Sequence, residues 1–349
     1  MYFDWYTAGY TTAVRTNPAM NISIIGGGSW GTGLAVQLAK KHPIAVWEYD
    51  KAQVSLVERD RINAKFLPGI AIPQNVGFHE SLEKVVGFSE ILIFAVPSHF
   101  LRQVAAKTGA IGTRGKHLVS LVKGLEDLSY KRMTEVIGEE TRSFETLSCL
   151  SGPSHAEEVA RNIPTAVILA NREPDDIAFL QPELSTDTFR LYLNDDIVGV
   201  ELGGAVKNVV AIAAGICDGL GFGANTKSAL LTRGMEEMKK LVVAMHGREL
   251  TITGLSGIGD LITTCISGYS RNRHVGEELG KGRKLKDILG EMVMVAEGVN
   301  TAKAVHHLAL REGLEMPITA AVNRVLFEDA DPSLEVRNLM SRPFKREFE

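Results

Sequence analysis

Asn21-Ile22-Ser23-Ile24-Ile25-Gly26-Gly27-Gly28-Ser29-Trp30-Gly31-Thr32-Gly33-Leu34 is the stretch that decides the fold. Asn21 to Ile25 reads as a short buried strand, and a helical pattern runs from Trp30 through Leu34, Leu38 and Ala39. Between them Gly26, Gly28 and Gly31 form G-x-G-x-x-G, which puts backbone N–H groups and a helix N-terminus where a pyrophosphate can be received. Ile44 to Glu48 reads as a second strand and closes a βαβ unit. Glu48 ends that strand where a carboxylate accepts from the adenosine ribose 2′-hydroxyl and repels a 2′-phosphate, so the reading leans to NAD over NADP. The choice stays open. Tyr49 and Lys51 follow at the same rim, a lysine there can take a 2′-phosphate, and a solvated strand end would carry a glutamate equally well.

Working outward, apolar runs recur at Ile91 to Val96, His117 to Leu121, Thr146 to Leu150 and Thr165 to Leu169, separated by segments of helical length. Strands alternating with helices imply an α/β fold with a parallel, doubly wound sheet. Pro97-Ser98-His99 follows one strand at the carboxyl edge, where such sheets bind ligands, though His99 is assigned no chemistry. After the strand Phe189 to Leu193 the texture changes: Asp195 and Asp196 can cap a helix, and strand-like runs largely disappear. From Gly199 onward, helix-period stretches are punctuated by turns at Gly219 to Gly223, Gly254 to Gly259 and Gly280 to Gly282, which implies an all-helical second domain. The expected division is an extension at 1–20, a dinucleotide-binding domain at 21–194 and a helical substrate-binding domain at 195–340.

Composition agrees with two folded domains. A chain of 349 residues exceeds what one hydrophobic core usually supports, and 45% hydrophobic with 23% charged residues is globular rather than disordered. A formal net charge of -4 offers no long-range attraction for nucleic acid or an anionic membrane, so an anion site must be built locally. Cys149, Cys217 and Cys265 lack C-x-x-C spacing, which argues against a disulfide framework or a zinc site and fits a reducing cytoplasm. Tyr2, Phe3, Trp5 and Tyr6 crowd the start without the basic and then apolar order of a signal peptide, and Met20 is a candidate start. No apolar stretch reads as long enough to span a bilayer, the densest being Val209 to Cys217.

Six ordered motifs now stand together: Gly26-Gly27-Gly28-Ser29-Trp30-Gly31-Thr32, Lys123-Gly124-Leu125-Glu126, Ser151-Gly152-Pro153-Ser154, Leu202-Gly203-Gly204-Ala205-Val206-Lys207-Asn208, Gly257-Ile258-Gly259-Asp260-Leu261 and Ser270-Arg271-Asn272-Arg273. From about Asn21 to near Phe327 the chain resembles the bacterial-type NAD(P)-dependent glycerol-3-phosphate dehydrogenases. The resemblance implies a Rossmann-like N-terminal domain and an all-helical C-terminal domain like that of 6-phosphogluconate dehydrogenase. It implies reversible hydride transfer between dihydroxyacetone phosphate and sn-glycerol 3-phosphate for phospholipid synthesis, with NAD or NADP, in a cytoplasmic homodimer.

By that resemblance Lys207 is the general acid/base, and Lys123 serves both substrate and cofactor. Gly152, Ser154, Asp260, Ser270, Arg271 and Asn272 surround the substrate. Gly26, Gly28, Ser29, Trp30, Gly31, Glu48, Tyr49, Ala156, Arg271, Val295 and Glu297 surround the cofactor. The residues themselves make several of these roles physically reasonable. Lys207 lies among Gly203, Gly204, Ala205, Val206, Val209 and Val210, a setting that desolvates an ammonium and lowers its pKa, although a lysine snorkelling from a buried helix fits the same pattern. The paired glycines imply that something approaches the backbone closely. Lys123 follows a strand at the carboxyl edge and can polarise the substrate carbonyl. Asp260 reads as a helix N-cap, as an acceptor for a substrate hydroxyl or for the Lys207 ammonium, or as both. Ser270-Arg271-Asn272 offers hydroxyl, guanidinium and amide at a helix N-terminus, a phosphate-binding set. On residue type alone Val295, Met292 and Met294 belong to the core and Glu297 to solvent. Two rival readings remain: a dehydrogenase of the same architecture with a carboxylate clamp, and a noncatalytic dinucleotide sensor.

Overall fold

The computed structural model describes residues 19–344 and 346–347; Tyr2, Phe3, Trp5 and Tyr6 lie outside the described residues. One eight-stranded sheet carries the order β3-β2-β1-β4-β5-β6-β7-β8. Its strands are β1 (Ile22–Ile25), β2 (Ile44–Trp47), β3 (Val76–His79), β4 (Ile91–Phe94), β5 (His117–Ser120), β6 (Thr146–Ser151), β7 (Thr165–Ala170) and β8 (Phe189–Asn194). The first six pair in parallel.

The expectation of a wholly parallel sheet is corrected at one edge. β7 runs antiparallel to β6, and β8 then follows β7 in parallel. The chain between β6 and β7 holds only α3 (Ala156–Ala160), too little to carry it over a face of the sheet and back, so it returns from the carboxyl edge directly. The Gly152 to Ala156 turn is thereby kept at that edge. β3 escapes sequence reading because Val76 and Phe78 alternate with half-buried Gly77 and His79 instead of forming an apolar run. As an edge strand it is sealed by side chains: Arg61 Nη2 donates to Val76 O (2.6 Å), and Phe78 N donates to Glu58 Oε1 (2.6 Å).

Strand alternation distributes the core over two faces. Ile22 and Ile24 pack with Leu34, Ala35 and Leu38 of α1 (Ser29–Leu38), while Ile25 packs with Leu92, Phe94 and Leu101 of α2 (Ser98–Ile111). Each such fully buried Leu, Ile or Phe side chain contributes about 1.5–3 kcal/mol.

After β8 the sheet ends and α4 (Ile197–Gly219) begins, capped by Asp196, whose Oδ1 accepts from Gly199 N (2.9 Å). Asp195, the other residue read as a possible cap, instead pairs outward with Arg248. α4 corrects the reading that no stretch is long enough to span a bilayer. Among the described residues its 23-residue length and mean hydropathy of 1.6 meet that requirement, but 94% of the window is buried inside the fold, as in a core helix. Against it lie α5 (Asp260–Ile266), α6 (Arg271–Gly280) and α7 (Glu297–Arg311). The α4–α6 approach is close enough for backbones to touch: a methyl group on Gly215 would sit 1.9 Å from Arg273 O, and one on Gly276 would sit 1.9 Å from Ile212 O. Val209, Ile212, Ile216, Val275 and Leu279 fill the space beside the glycines. Residues Gly215 and Gly276 thus fix where α6 presents Arg271 relative to Lys207 on α4.

Candidate active site

The glycine-rich turn has the form a pyrophosphate needs. Gly26 has φ +124°, and a methyl group there would lie 2.7 Å from Ala95 O, so only glycine fits. Gly28 caps α1 with no side-chain acceptor for the first-turn amides of Ser29, Trp30 and Gly31, and the space beside its Cα is open. The turn is braced from behind: Asn63 Nδ2 donates to Gly27 O (2.8 Å) and Thr32 Oγ1 (2.9 Å), and Gln53 Nε2 donates to Asn63 Oδ1 (2.8 Å). Trp30 is half-buried and meets Phe189 edge-on, with 6.3 Å between ring centroids. Ala156 packs its backbone onto α1 at Gly33.

Glu48 is buried just beyond β2, with Oε1 accepting from Asp50 N (3.1 Å) and Oε2 beside the Cα of Gly27. It is therefore not a solvated strand end. Burial raises its pKa, opposed by the Asp50 amide. Tyr49 is 75% exposed at the rim, and Lys51 is drawn to Glu80 (3.1 Å).

At the carboxyl edge, Lys123 follows β5, and its Nζ donates to Gly152 O (3.0 Å) and to Asp260 Oδ2 (2.5 Å). Lys207, 5% exposed in the middle of α4, donates to Asp260 Oδ1 (2.8 Å) and Thr264 Oγ1 (2.6 Å). Asp260 thus stands between two ammonium groups. Burial pushes the Lys207 amine down to about 8, against the pull of Asp260, while Lys123 pushes it further down. Burial alone would raise the Asp260 carboxyl, but Lys123 and Lys207 outweigh it and hold it below the usual carboxylate range. Lys207 does not snorkel, and Asp260 does not cap; Gly259 is the cap residue, after a single π-helical turn at Leu255–Gly259 of the kind that frequents functional sites.

The paired glycines of α4 have their reason here. A methyl group on Gly203 would lie 2.8 Å from Ser256 O in that π turn, and one on Gly204 would lie 2.7 Å from Ser151 Oγ. Both contacts bring the Ser151 and Ser256 loops against the turn of helix that carries Lys207.

Ser270 caps α6, its hydroxyl accepting from Arg273 N (3.2 Å). Arg271 opens the helix and has no hydrogen bond or ion pair to any described residue, although burial works against its charge and Glu297 and Glu157 only partly offset this. Arg273 is occupied by Asp218 (2.6 Å). Asn272 has a second role beside the expected one: Nδ2 donates to Asn208 Oδ1 (2.8 Å), and Oδ1 accepts from Gly298 N (2.9 Å), so its amide ties α6 to α4 and α7 and leaves one N–H for a ligand. Val295 is half-buried just before α7, and Met292 packs in the helical core. Glu297 is not solvated. Its carboxylate accepts from Ser98 N (3.0 Å) and Ser98 Oγ (2.5 Å), latching α7 to the start of α2.

The family model described as the NAD-dependent glycerol-3-phosphate dehydrogenase N-terminus matches residues 21–176, and the corresponding C-terminus model matches 196–337. The chain belongs to the NAD-dependent glycerol-3-phosphate dehydrogenase family. Two relatives named glycerol-3-phosphate dehydrogenase [NAD(P)+] come from Pelodictyon phaeoclathratiforme, 44% identical over 94% of this chain and 99% of that protein, and from a Thermoanaerobacter species, 46% identical over the same shares. The crystal structure of glycerol-3-phosphate dehydrogenase from Coxiella burnetii superposes with a TM-score of 0.90 at 37% identity, covering 93% of this chain and all of that one.

Within this glycerol-3-phosphate dehydrogenase chain, sequence reasoning missed Thr264, Asn208, Ser98 and Asn63. Thr264 alone had a usable signal, since four residues after Asp260 on one helix puts both side chains on the same face. Ser98 and Asn208 stand in stretches the sequence singled out, but their partners, like that of Asn63, lie far away in the chain and nothing local marks the pairing.

Proposed function

We propose that the junction of the sheet's carboxyl edge with the helical half interconverts dihydroxyacetone phosphate and sn-glycerol 3-phosphate, with Lys207 as the proton donor and acceptor. The observation that carries this is Asp260 held between Lys123 and a buried Lys207 poised near pH 8, with an Arg271 whose side chain has no hydrogen-bond or ion-pair partner among the described residues. A bound nicotinamide dinucleotide supplies or takes the hydride at C2. The open first-turn amides of α1 and the unfilled space at Gly28 suit its pyrophosphate.

The chain's own residues do the rest. Lys123 donates toward the C2 oxygen and favours negative charge developing there. Lys207, with two of its three N–H groups held by Asp260 and Thr264, has one left to give to that oxygen as it becomes a hydroxyl, and it takes the proton back in oxidation. Lys123 and Lys207 against Asp260, with Arg271 only partly offset by Glu297 and Glu157, leave positive charge for a phosphate. A planar guanidinium can take that phosphate bidentately. Arg271→Ala is expected to raise KM for dihydroxyacetone phosphate about 10- to 100-fold with a smaller change in kcat, read from initial-rate curves. An unchanged KM would remove Arg271 from the phosphate.

The cofactor reading is NAD in preference to NADP, because the Glu48 carboxylate lies beside the turn while Lys51 is engaged with Glu80. Glu48→Gln, which keeps the shape and removes the charge, should lower the NADH-to-NADPH ratio of kcat/KM about tenfold, a scale set by one charge-assisted contact. A ratio that stays put would assign the preference elsewhere. A cytoplasmic homodimer is proposed from family membership.

A further inference from the structure

The substrate of the proposed reaction, and this inference rests on that reading, carries one polar group not yet provided for: the C1 hydroxyl present in both dihydroxyacetone phosphate and glycerol 3-phosphate. A hydroxyl buried beside three cations must donate its proton to an acceptor. The carboxylate and carbonyl oxygens that hold the lysines are already in use. Asp260 Oδ1 takes Lys207 and Thr264, and Oδ2 takes Lys123. Gly152 O takes Lys123 Nζ and Ser154 Oγ.

His155 follows Ser154 directly, and its Nε2 is buried with no hydrogen-bond partner. The Thr263 backbone beside the ring favours a proton on it, and Nε2, being unpartnered, is not the nitrogen that faces it. With the proton on Nδ1, the neutral ring presents the lone pair of Nε2. Burial and then the Lys207 charge, with a smaller push from Lys123 against the pull of Asp260, hold the ring at about 4, so it is neutral at pH 7. Its other side leans on the half-exposed Tyr269 ring, 5.8 Å between centroids. Ser151 Oγ, the other unpartnered atom of this loop, is turned against Gly204 behind Lys123. An orphaned buried acceptor in a native fold calls for a ligand, and the group missing a partner on the ligand is a donor.

We infer that Nε2 of His155 accepts the C1 hydroxyl of the substrate, which makes His155 a residue that selects three-carbon phosphates bearing a hydroxyl at C1. Ketones that end in a methyl group at that carbon would leave Nε2 unsatisfied and be rejected.

The test compares dihydroxyacetone phosphate with hydroxyacetone phosphate, which lacks only the C1 hydroxyl, in the full chain, in His155→Phe and in His155→Gln, with thermal melts on each. The unaltered protein should prefer dihydroxyacetone phosphate by about 100-fold or more in kcat/KM, as expected of a site built to hydrogen-bond a hydroxyl. In His155→Phe that preference should collapse to within about threefold, because only the hydroxyl-bearing substrate slows. His155→Gln, whose amide oxygen can accept, should retain a clear part of it. Equal losses for both substrates would make His155 a structural residue and overturn the inference. So would an unaltered protein that turns both substrates over equally, a reading that needs no variant to fold. No turnover of dihydroxyacetone phosphate by the unaltered protein would instead sink the proposed reaction itself.

Discussion

Asp260→Ala should cost the protein most of its turnover and part of its stability together. The carboxylate is 2% exposed and is the shared partner of two ammonium groups, so its removal leaves the buried Lys207 facing the half-buried Lys123 with no counter-charge between them. Breaking a buried pair in this way costs about 3–5 kcal/mol when the remaining charge cannot escape. Lys207 can escape by giving up its proton. Burial and Lys123 already push it down to about 8, and without Asp260 nothing comparable pulls it back. The amine then lies neutral at pH 7 and cannot protonate the C2 oxygen. Reduction at pH 7 should fall about 10²- to 10⁴-fold, the span of general acid catalysis, with its optimum displaced to lower pH. Oxidation, which uses the neutral amine, should keep a lower pH limit shifted in the same direction. Initial rates and urea unfolding on the same preparations check both halves. A variant with unaltered stability and an unaltered pH profile would mean that the carboxylate does not govern Lys207.

Gly276→Ala should be the most damaging small substitution in the helical half. The added methyl group would stand 1.9 Å from Ile212 O, a backbone atom on α4 that cannot turn aside as a side chain could. Relief requires the two helices to separate, which opens the packing of Val209, Ile212, Val275 and Leu279. A loss of about 3 kcal/mol or more follows from overpacking at the severe end of its range. Gly290→Ala is the matched control. Nothing lies within 4 Å of that position, so it should be neutral or stabilising by up to about 1 kcal/mol, as alanine is in helices. Urea midpoints of the two variants should move apart. Coincident midpoints would contradict the close α4–α6 approach. Because Arg271 opens α6, a Gly276→Ala protein that still folds should also show a raised KM for the phosphorylated substrate.

Much of this architecture was legible in the sequence because its signals are local. Continuous apolar runs mark buried parallel strands, and Gly26 and Gly28 mark the turn between one of them and its helix. Where the signal was not local, the reading failed. The reversal of β7 follows from how little helix the preceding connection holds, and β3 is an edge strand finished by Arg61 and Glu58 from elsewhere. The family resemblance, with residue types in support, pointed to Lys207, its glycine pair and Arg271. They anticipated that Asp260 accepts from the Lys207 ammonium, but not what most of the neighbouring groups touch. On residue type Glu297 reads as solvent and proves to be a half-buried latch on Ser98, and Asn272, read as a phosphate ligand, also ties helices together while keeping one N–H for that role. An amide or carboxylate next to a motif has a legible chemistry, but its partner depends on packing some 60 to 200 residues away in the chain, as the Asn272–Asn208 separation of 64 and the Ser98–Glu297 separation of 199 illustrate.

The most direct test of the account is the oxidation of NADH by purified protein with dihydroxyacetone phosphate, followed across pH 6 to 10, roughly two units either side of the Lys207 value, beside Lys207→Met. With Lys207 at about 8 the donor is protonated below that pH, so the reductive kcat should be level there and fall about tenfold per unit above it, while the methionine variant keeps its fold and loses turnover at every pH. Brisk turnover by Lys207→Met, or a wild-type profile without a break near pH 8, would contradict the assignment of Lys207 as the group that moves the proton.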